Sequence, residues 1–136
     1  MRFFTLLSAL AAAGFAAAQE AARFGSVEAE PCVFTGGQDV RIVYNATTAI
    51  AAGHAPESVS VWIQGTFDDT GNQTPFFRLA ETEFHAELGE TFFAFNNTIP
   101  EQINNLGASN WVVTAFIIYE QDGLTQFGGI SNSCPQ

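Results

Sequence analysis

The sequence contains no lysine, and its four arginines stand against 14 acidic residues, so the net charge is −10. Proteins that bind nucleic acids or anionic lipid surfaces use clustered lysine and arginine to neutralise phosphate groups. This chain has too few basic residues to build such a cluster. We therefore predict that it does not bind nucleic acid and is not attracted to anionic membranes.

Residues that support catalysis or metal binding are also scarce. The chain has two histidines, His54 and His85, and its two cysteines do not form a Cys-x-x-Cys motif. No glycine-rich phosphate-binding motif is present. Base-activated nucleophiles and zinc sites draw on these residue types. We predict a protein that is not an enzyme and that uses neither a cofactor nor a metal ion.

Two short motifs resemble parts of known chemical sites. Asp69-Thr70-Gly71 matches the tripeptide that carries the catalytic carboxylate of aspartic proteases. It occurs once, whereas those enzymes pair two aspartates, so we interpret it as a turn. Glu83, His85 and Glu87 alternate, so a strand would place them on one face. We interpret that face as a solvated acidic surface, and a pH-responsive His85 and a metal site are the alternatives.

The N-terminus has the features of a secretory signal peptide. Met1-Arg2 precedes an apolar stretch over residues 3–18, and Ala16-Ala17-Ala18 before Gln19 provides a small-residue cleavage site. The stretch is short for a membrane span, and no second apolar tail follows it. We predict a signal peptide over 1–18 and a single domain over 19–136. The mature protein is expected to be secreted and extracellular, with no stable membrane anchor.

Cysteines and glycosylation motifs fit an oxidising, extracellular compartment. Cys32 and Cys134 are the two cysteines of the chain, and we predict that they form a disulfide. Three Asn-x-Thr sequons predict N-glycosylation at Asn45, Asn72 and Asn96.

Alternation of apolar and polar residues predicts β-strands. Val40, Ile42 and Tyr44 share one parity and should face the core. Alternation recurs in residues 57–67, 76–88 and 91–99, and weaker strand signals lie at 26–34 and 124–130. In the segment 76–88 the residues predicted to face the core are Ala80, Thr82, Phe84, Ala86 and Leu88.

Residues 111–119 are apolar at almost every position, which predicts a central strand covered on both faces. Pro100 and Gly107 bracket one or two predicted helical turns. The whole pattern predicts an all-β fold, an antiparallel immunoglobulin-like β-sandwich of about seven strands with one short helical crossover.

Some aromatic residues are predicted to point away from the core. Trp62 lies on the polar parity of its strand, and the pairs Phe76-Phe77 and Phe92-Phe93 each force one ring outward in an extended chain. Trp62, Phe76 and Phe92 are therefore candidate partner-binding residues, since exposed aromatic rings suit recognition of proteins or sugars. The alternative is that a second sheet layer, the crossover or a glycan covers them.

The chain resembles the necrosis-inducing secreted protein family of small fungal effectors. The resemblance runs from a Phe-rich strand through Thr98-Ile99-Pro100 into the apolar segment 107–119 and the Asp122-Gly123 turn. It implies a protein without enzymatic activity that binds and inhibits plant immune kinases. We therefore predict a secreted effector that binds a host protein and suppresses immune signalling. The alternative is an extracellular cell-wall or carbohydrate-binding module that binds polysaccharide through Trp62 and outward phenylalanines.

Overall fold

The computed structural model describes residues 18–134. Within this range the chain forms seven β-strands. They are β1 (Ser26–Glu30), β2 (Asp39–Asn45), β3 (Pro56–Phe67), β4 (Phe77–Glu83), β5 (Phe92–Thr98), β6 (Ala108–Gln121) and β7 (Leu124–Cys134). An α-helix covers Thr47–Ala51, 3-10 helices cover Ala86–Leu88 and Glu101–Asn105, and residues 18–24 are also helical.

The strands form two antiparallel sheets. One sheet has the order β1-β2-β5, and the other has the order β4-β3-β6-β7. In immunoglobulin-like sandwiches the first, second and fifth strands likewise pair in one sheet, and the third, sixth and seventh pair in the other. The prediction of an all-β, immunoglobulin-like sandwich of about seven strands is confirmed.

The core lies between the two sheets and is filled by alternate residues of their strands. Val40, Ile42 and Tyr44 of β2 are buried, as their parity predicts. Residues from the other sheet complete this layer, and they include Val59, Val61, Ile63, Trp111, Val113, Ala115 and Ile117. The alternation follows from strand geometry, in which successive side chains point to opposite faces.

The predicted crossover is present. The 3-10 helix Glu101–Asn105 follows Pro100 and buries Ile103. Asn104 fastens this turn to the loop before β2, since the backbone N–H of Gly36 donates to its Oδ1 at 2.8 Å. The crossover thus closes one end of the sandwich between β5 and β6.

One predicted strand is shorter than the sequence suggests. The alternation in residues 76–88 predicts a strand to Leu88, but β4 ends at Glu83 and the chain turns through Ala86–Leu88. Gly89 ends the turn with a left-handed φ of 87°, a conformation that favours glycine. The prediction that Leu88 faces the core is wrong, since its side chain is 79% exposed.

The central strand β6 is covered on one face only. It pairs with both β3 and β7, as a central strand should. The prediction that both of its faces are covered is wrong, because Phe116 is half-buried and Ile118 is exposed. In a two-layer sandwich each sheet buries one face against the other sheet, and the opposite face stays open unless a further element packs on it.

The helical residues 18–24, called the N-terminal segment below, pack against the sandwich. The Tyr44 hydroxyl donates to the carbonyl oxygen of Phe24 at 2.8 Å, and the Thr48 hydroxyl donates to that of Ala21 at 2.7 Å. The Phe24 ring also packs against Tyr119. The signal peptide predicted over 1–18 lies outside the described residues except for Ala18.

The predicted disulfide between Cys32 and Cys134 is confirmed, with a Cα to Cα distance of 4.9 Å. It joins the loop after β1 to the end of β7 and so links the two ends of the chain across the two sheets. No helix within residues 18–134 combines the length and apolar character needed to cross a membrane.

Candidate binding surface

The outer face of the four-stranded sheet carries a cluster of aromatic side chains. We call Trp62, Phe76, Phe116, Ile118 and Phe127 the aromatic face. Trp62 lies on β3, Phe116 and Ile118 on β6 and Phe127 on β7, while Phe76 immediately precedes β4. The strand register brings them together, because Ile118 pairs with Phe127 in the β6–β7 ladder.

The four rings of the aromatic face form an unbroken series of contacts. The Trp62 and Phe76 centroids are 6.3 Å apart with their planes at 80°. Phe76 and Phe116 are 5.8 Å apart at 73°, and Phe116 and Phe127 are 5.3 Å apart at 23°. These are the edge-to-face and offset-stacked arrangements that aromatic pairs prefer. The series therefore extends from the residue before β4 across β3 and β6 to β7.

A glycine gives the Phe116 ring its position. Gly129 on β7 pairs with Phe116, and a Cβ atom at Gly129 would lie 3.0 Å from Phe116 Cδ1. The missing side chain lets the Phe116 ring lie over β7 and reach Phe127. Glycine within a strand often marks such a close approach.

Polar partners hold Trp62 at the β4 side of the face. Its Nε1 donates to Ser60 Oγ at 2.9 Å. The Arg78 guanidinium carbon lies 5.7 Å from the Trp62 ring centroid, within cation–π distance, and Arg78 is also paired with Glu81 at 2.5 Å. Trp62 is half-buried, and these contacts restrict the orientation of its ring.

The aromatic face is open to solvent within the described chain. Phe127 is 67% exposed, Phe76 is 45% exposed and Ile118 is 40% exposed. Large apolar side chains that are both exposed and contiguous often mark an interaction site on a soluble protein. Among residues 18–134 the alternative that a second sheet layer or the crossover covers the outward aromatics does not hold for Phe76, whereas Trp62 is half-buried.

An acidic cleft adjoins the aromatic face. We give this name to the open cleft of about 950 Å³ beside Ile118. Its carboxylates are Glu57, Glu83, Glu87 and Glu120, and its apolar lining includes Ile50, Pro56, Phe84 and Ile118. Ser58 connects the cleft to the sheet, since it pairs with Glu83 on β4 and with Ile118 on β6.

His85 lies at the rim of the acidic cleft, but not in the predicted strand. The predicted strand face for Glu83, His85 and Glu87 is wrong, because β4 ends at Glu83 and His85 begins a turn. The turn nevertheless brings the groups together: His85 Nδ1 is 3.2 Å from Glu87 Oε1, and Nε2 is 3.9 Å from Glu83 Oε2. No group of three or more potential metal ligands within residues 18–134 has a metal-binding arrangement.

The other histidine has a structural role. His54 is buried, and its Nδ1 lies 3.0 Å from the carbonyl oxygen of Arg23. Its ring packs against Tyr119 with centroids 4.9 Å apart. His54 therefore helps to hold the N-terminal segment and lies away from the aromatic face.

Asp69 belongs to a turn, as the sequence predicts. The backbone N–H of Gly71 donates to the Phe67 carbonyl at 2.8 Å, and that of Phe67 donates to the Asn72 carbonyl at 2.8 Å. These two bonds close the loop that carries Asp69 and Thr70, and both of those residues are exposed.

Phe92 lies apart from the other candidate binding residues. It is 60% exposed on β5, in the three-stranded sheet, where it pairs with Asn45 of β2. Asn96 is exposed on the same strand, and exposed Asn72 lies in the turn after β3. The structure thus brings Trp62 and Phe76 together and leaves Phe92 with two of the sequons on the opposite sheet.

Three residues of the aromatic face are absent from the sequence predictions. Phe116 and Ile118 are hidden in a continuously apolar segment, where alternation cannot show which parity faces outward. Phe127 lies in a glycine-interrupted strand with a weak pattern. The pairing of β6 with β3 identifies Phe116 and Ile118, since they lie opposite Ser60 and Ser58, polar residues on the outward parity of β3. Phe127 follows from its pairing with Ile118.

No protein-family model, no curated protein and no solved structure matches this chain. The proposed role therefore depends on the surface itself and on the resemblance described above.

Proposed function

We propose that this chain is a secreted, non-enzymatic binding domain that recognises a partner protein through its aromatic face. The observation that carries the proposal is the contiguous set of exposed apolar side chains on an uncovered sheet, centred on Phe76, Ile118 and Phe127. Removing such side chains from water is the main source of free energy in protein association, and aromatic residues are enriched at interface centres.

The ring geometry favours a protein over a polysaccharide as the partner. Neighbouring rings at Trp62, Phe76 and Phe116 are close to perpendicular, so they do not form one flat platform for sugar rings. The branched aliphatic side chain of Ile118 also belongs to the exposed surface. A mixed aromatic and aliphatic surface with uneven relief suits the interdigitating side chains of a protein interface.

The predicted glycans support the same surface. Asn45 and Asn96 lie on the three-stranded sheet, and Asn72 lies in a turn. Glycans at Asn45 and Asn96, on the other sheet, would leave the outer face of the four-stranded sheet accessible. The disulfide between Cys32 and Cys134 fits export into an oxidising compartment.

The resemblance to the necrosis-inducing secreted protein family suggests what the partner does. In this proposal the chain is an effector that binds a host protein, such as an immune kinase, and suppresses immune signalling. The test is the oxidative burst of leaf tissue challenged with a microbial elicitor while the tissue expresses the protein. Phe127→Ser removes the most exposed ring of the aromatic face, and Phe92→Ser is the matched control on the other sheet.

We expect the wild type and Phe92→Ser to suppress the burst, and Phe127→Ser to lose most of the suppression. Equal suppression by all three proteins would contradict the use of the aromatic face. An unchanged burst with folded wild-type protein present would reject the effector role.

Polysaccharide binding is the second candidate function. It is favoured by the hydroxyl groups of Ser60, which accepts from Trp62 Nε1, and of Ser131, which is exposed on the same face of the sheet. Retention of the wild type on insoluble cell-wall polysaccharide, lost in Trp62→Ala, would support this function over protein binding.

A further inference from the structure

We infer that the partner presents an apolar surface flanked by arginine or lysine, with a basic side chain seated in the acidic cleft beside the aromatic face. This inference rests on the proposed function and adds the chemistry of the partner.

The aromatic face and the acidic cleft form one continuous surface. Ile118 belongs to the aromatic face and also lines the acidic cleft. Glu83 reaches the same place from β4, since Ser58 lies between it and Ile118 in the sheet. A partner that covers Phe127 and Ile118 therefore extends over the cleft carboxylates as well.

The acidic cleft is rich in negative charge. The carboxylates of Glu57, Glu83, Glu87 and Glu120 line it, and its lining contains no arginine. The basic side chain in the lining is His85, which contacts Glu83 and Glu87 and leaves Glu57 and Glu120 without a basic neighbour in the cleft, while Arg78 on β4 is paired with Glu81. Opposed potentials guide association and penalise wrong partners, so a partner with an acidic surface would be repelled here.

The floor of the acidic cleft is apolar. Pro56 and Phe84 in its lining are buried and Ile50 is half-buried, whereas the four glutamates are exposed, so the apolar side chains form the base of the cleft. Arginine and lysine place their aliphatic stems on apolar surface while the charged group stays near water and carboxylates. The cleft matches both parts of such a side chain.

The same charge disfavours a second copy of this chain as the occupant. Each copy has a net charge of −10 and no lysine. Pairing two aromatic faces would bring two sets of cleft carboxylates near one interface, and like charges oppose such association.

The experiment selects binders from a phage-displayed library of random peptides, using the biotinylated wild-type domain as bait. We expect peptides that combine aromatic or aliphatic residues with arginine or lysine. The cleft variant Glu83→Gln/Glu120→Gln should lose the enrichment of basic residues. Its matched control is Glu28→Gln/Glu30→Gln, which makes the same charge change at exposed positions of β1 on the other sheet.

A synthetic copy of one enriched peptide then provides affinities by fluorescence anisotropy. Loss of two surface charge pairs should weaken binding about fivefold to tenfold in the cleft variant, and the β1 control should stay near wild type. Higher salt should weaken wild-type binding more than binding by the cleft variant, because salt screens exposed charges.

Each contrary outcome is distinct. Selection of apolar peptides that are not enriched in arginine or lysine, and that do not bind Phe127→Ser, would overturn the inference of a basic partner. It would still support binding through the aromatic face. Peptides that bind wild type and Phe127→Ser equally well would overturn both the inferred basic partner and the proposed role of the aromatic face. An equal loss of peptide affinity in the cleft variant and in the β1 control would show that only the net charge of the protein matters. That result would overturn the inference. A dimer in solution that Phe127→Ser dissociates would assign the face to a second copy and also overturn it.

Discussion

Phe116 stacks on Phe127 across the β6–β7 pair, with the ring centroids 5.3 Å apart and the planes at 23°. The contact joins a half-buried ring to one that is 67% exposed. It extends the aromatic face to the edge strand of the sheet without adding to the core. The exposed residues of the proposed binding surface are therefore separable from the residues that fill the core.

This separation predicts different costs for two aromatic substitutions. Phe127→Ser should change the free energy of unfolding by less than about 1 kcal/mol, because the side chain is mostly in water. Trp111→Ala should cost about 3 to 5 kcal/mol, because Trp111 is 1% exposed in the core. Urea unfolding followed by far-ultraviolet circular dichroism measures both. A large loss in Phe127→Ser would mean that the ring stabilises the fold, and binding defects of that variant would need a milder substitution.

The parity of most strands can be predicted from the sequence, because one face of each sheet is buried and the other meets water. Val40, Ile42 and Tyr44 are buried for this reason, and exposed Asn45 and Asn96 follow the opposite parity. The order of the strands within the two sheets could not be predicted, because alternation shows which face of a strand is buried but not which strand pairs with it.

The aromatic face could be predicted only in part. Trp62 is identifiable because polar residues flank it on its own parity, whereas Phe116 and Ile118 lie in a segment with no alternation. Within residues 18–134 no third layer packs on this face of the sheet, and no local sequence pattern encodes that arrangement. The turn at His85 was missed because alternation continues past Glu83, although Gly89 is a signal that the strand has ended.

Gly128 is predicted to be required for docking of the N-terminal segment. A Cβ atom there would clash with the Phe24 ring, so Gly128→Ala must displace that ring. We expect a loss of about 1 to 3 kcal/mol in unfolding free energy and faster trypsin cleavage after Arg23. Mass spectrometry of timed digests identifies the cut. Gly129→Ala is the matched control, because it disturbs only Phe116 on the outer face, and an equal cleavage rate in both variants would contradict the docking role.

The disulfide is predicted to contribute strongly to stability. Cys32 and Cys134 are separated by 102 residues, so the bond restricts a long loop in the unfolded chain. In the chain-entropy model such a loop contributes about 4 to 5 kcal/mol. The double variant Cys32→Ala/Cys134→Ala should lose that amount in urea unfolding without a change in the far-ultraviolet spectrum of the folded state. A loss below about 1 kcal/mol would show that the two ends are held by packing instead.

Tyr44 is predicted to make the fold sensitive to alkaline pH. Its side chain is fully buried and donates to the Phe24 carbonyl, and burial raises the pKa of its hydroxyl well above the usual value. The folded state keeps the proton where the unfolded chain loses it. The stabilisation is therefore complete below about pH 10 and falls by about 1.4 kcal/mol per pH unit above it.

Tyr44→Phe tests the alkaline effect directly. At neutral pH it should cost about 1 kcal/mol, because the Phe24 carbonyl loses its donor. Above pH 10 the difference in unfolding free energy between wild type and variant should shrink and then reverse, because phenylalanine has no proton to lose. Urea unfolding at a series of pH values from 8 to 11.5 gives both curves. Parallel curves over that range would place the alkaline sensitivity elsewhere in the chain.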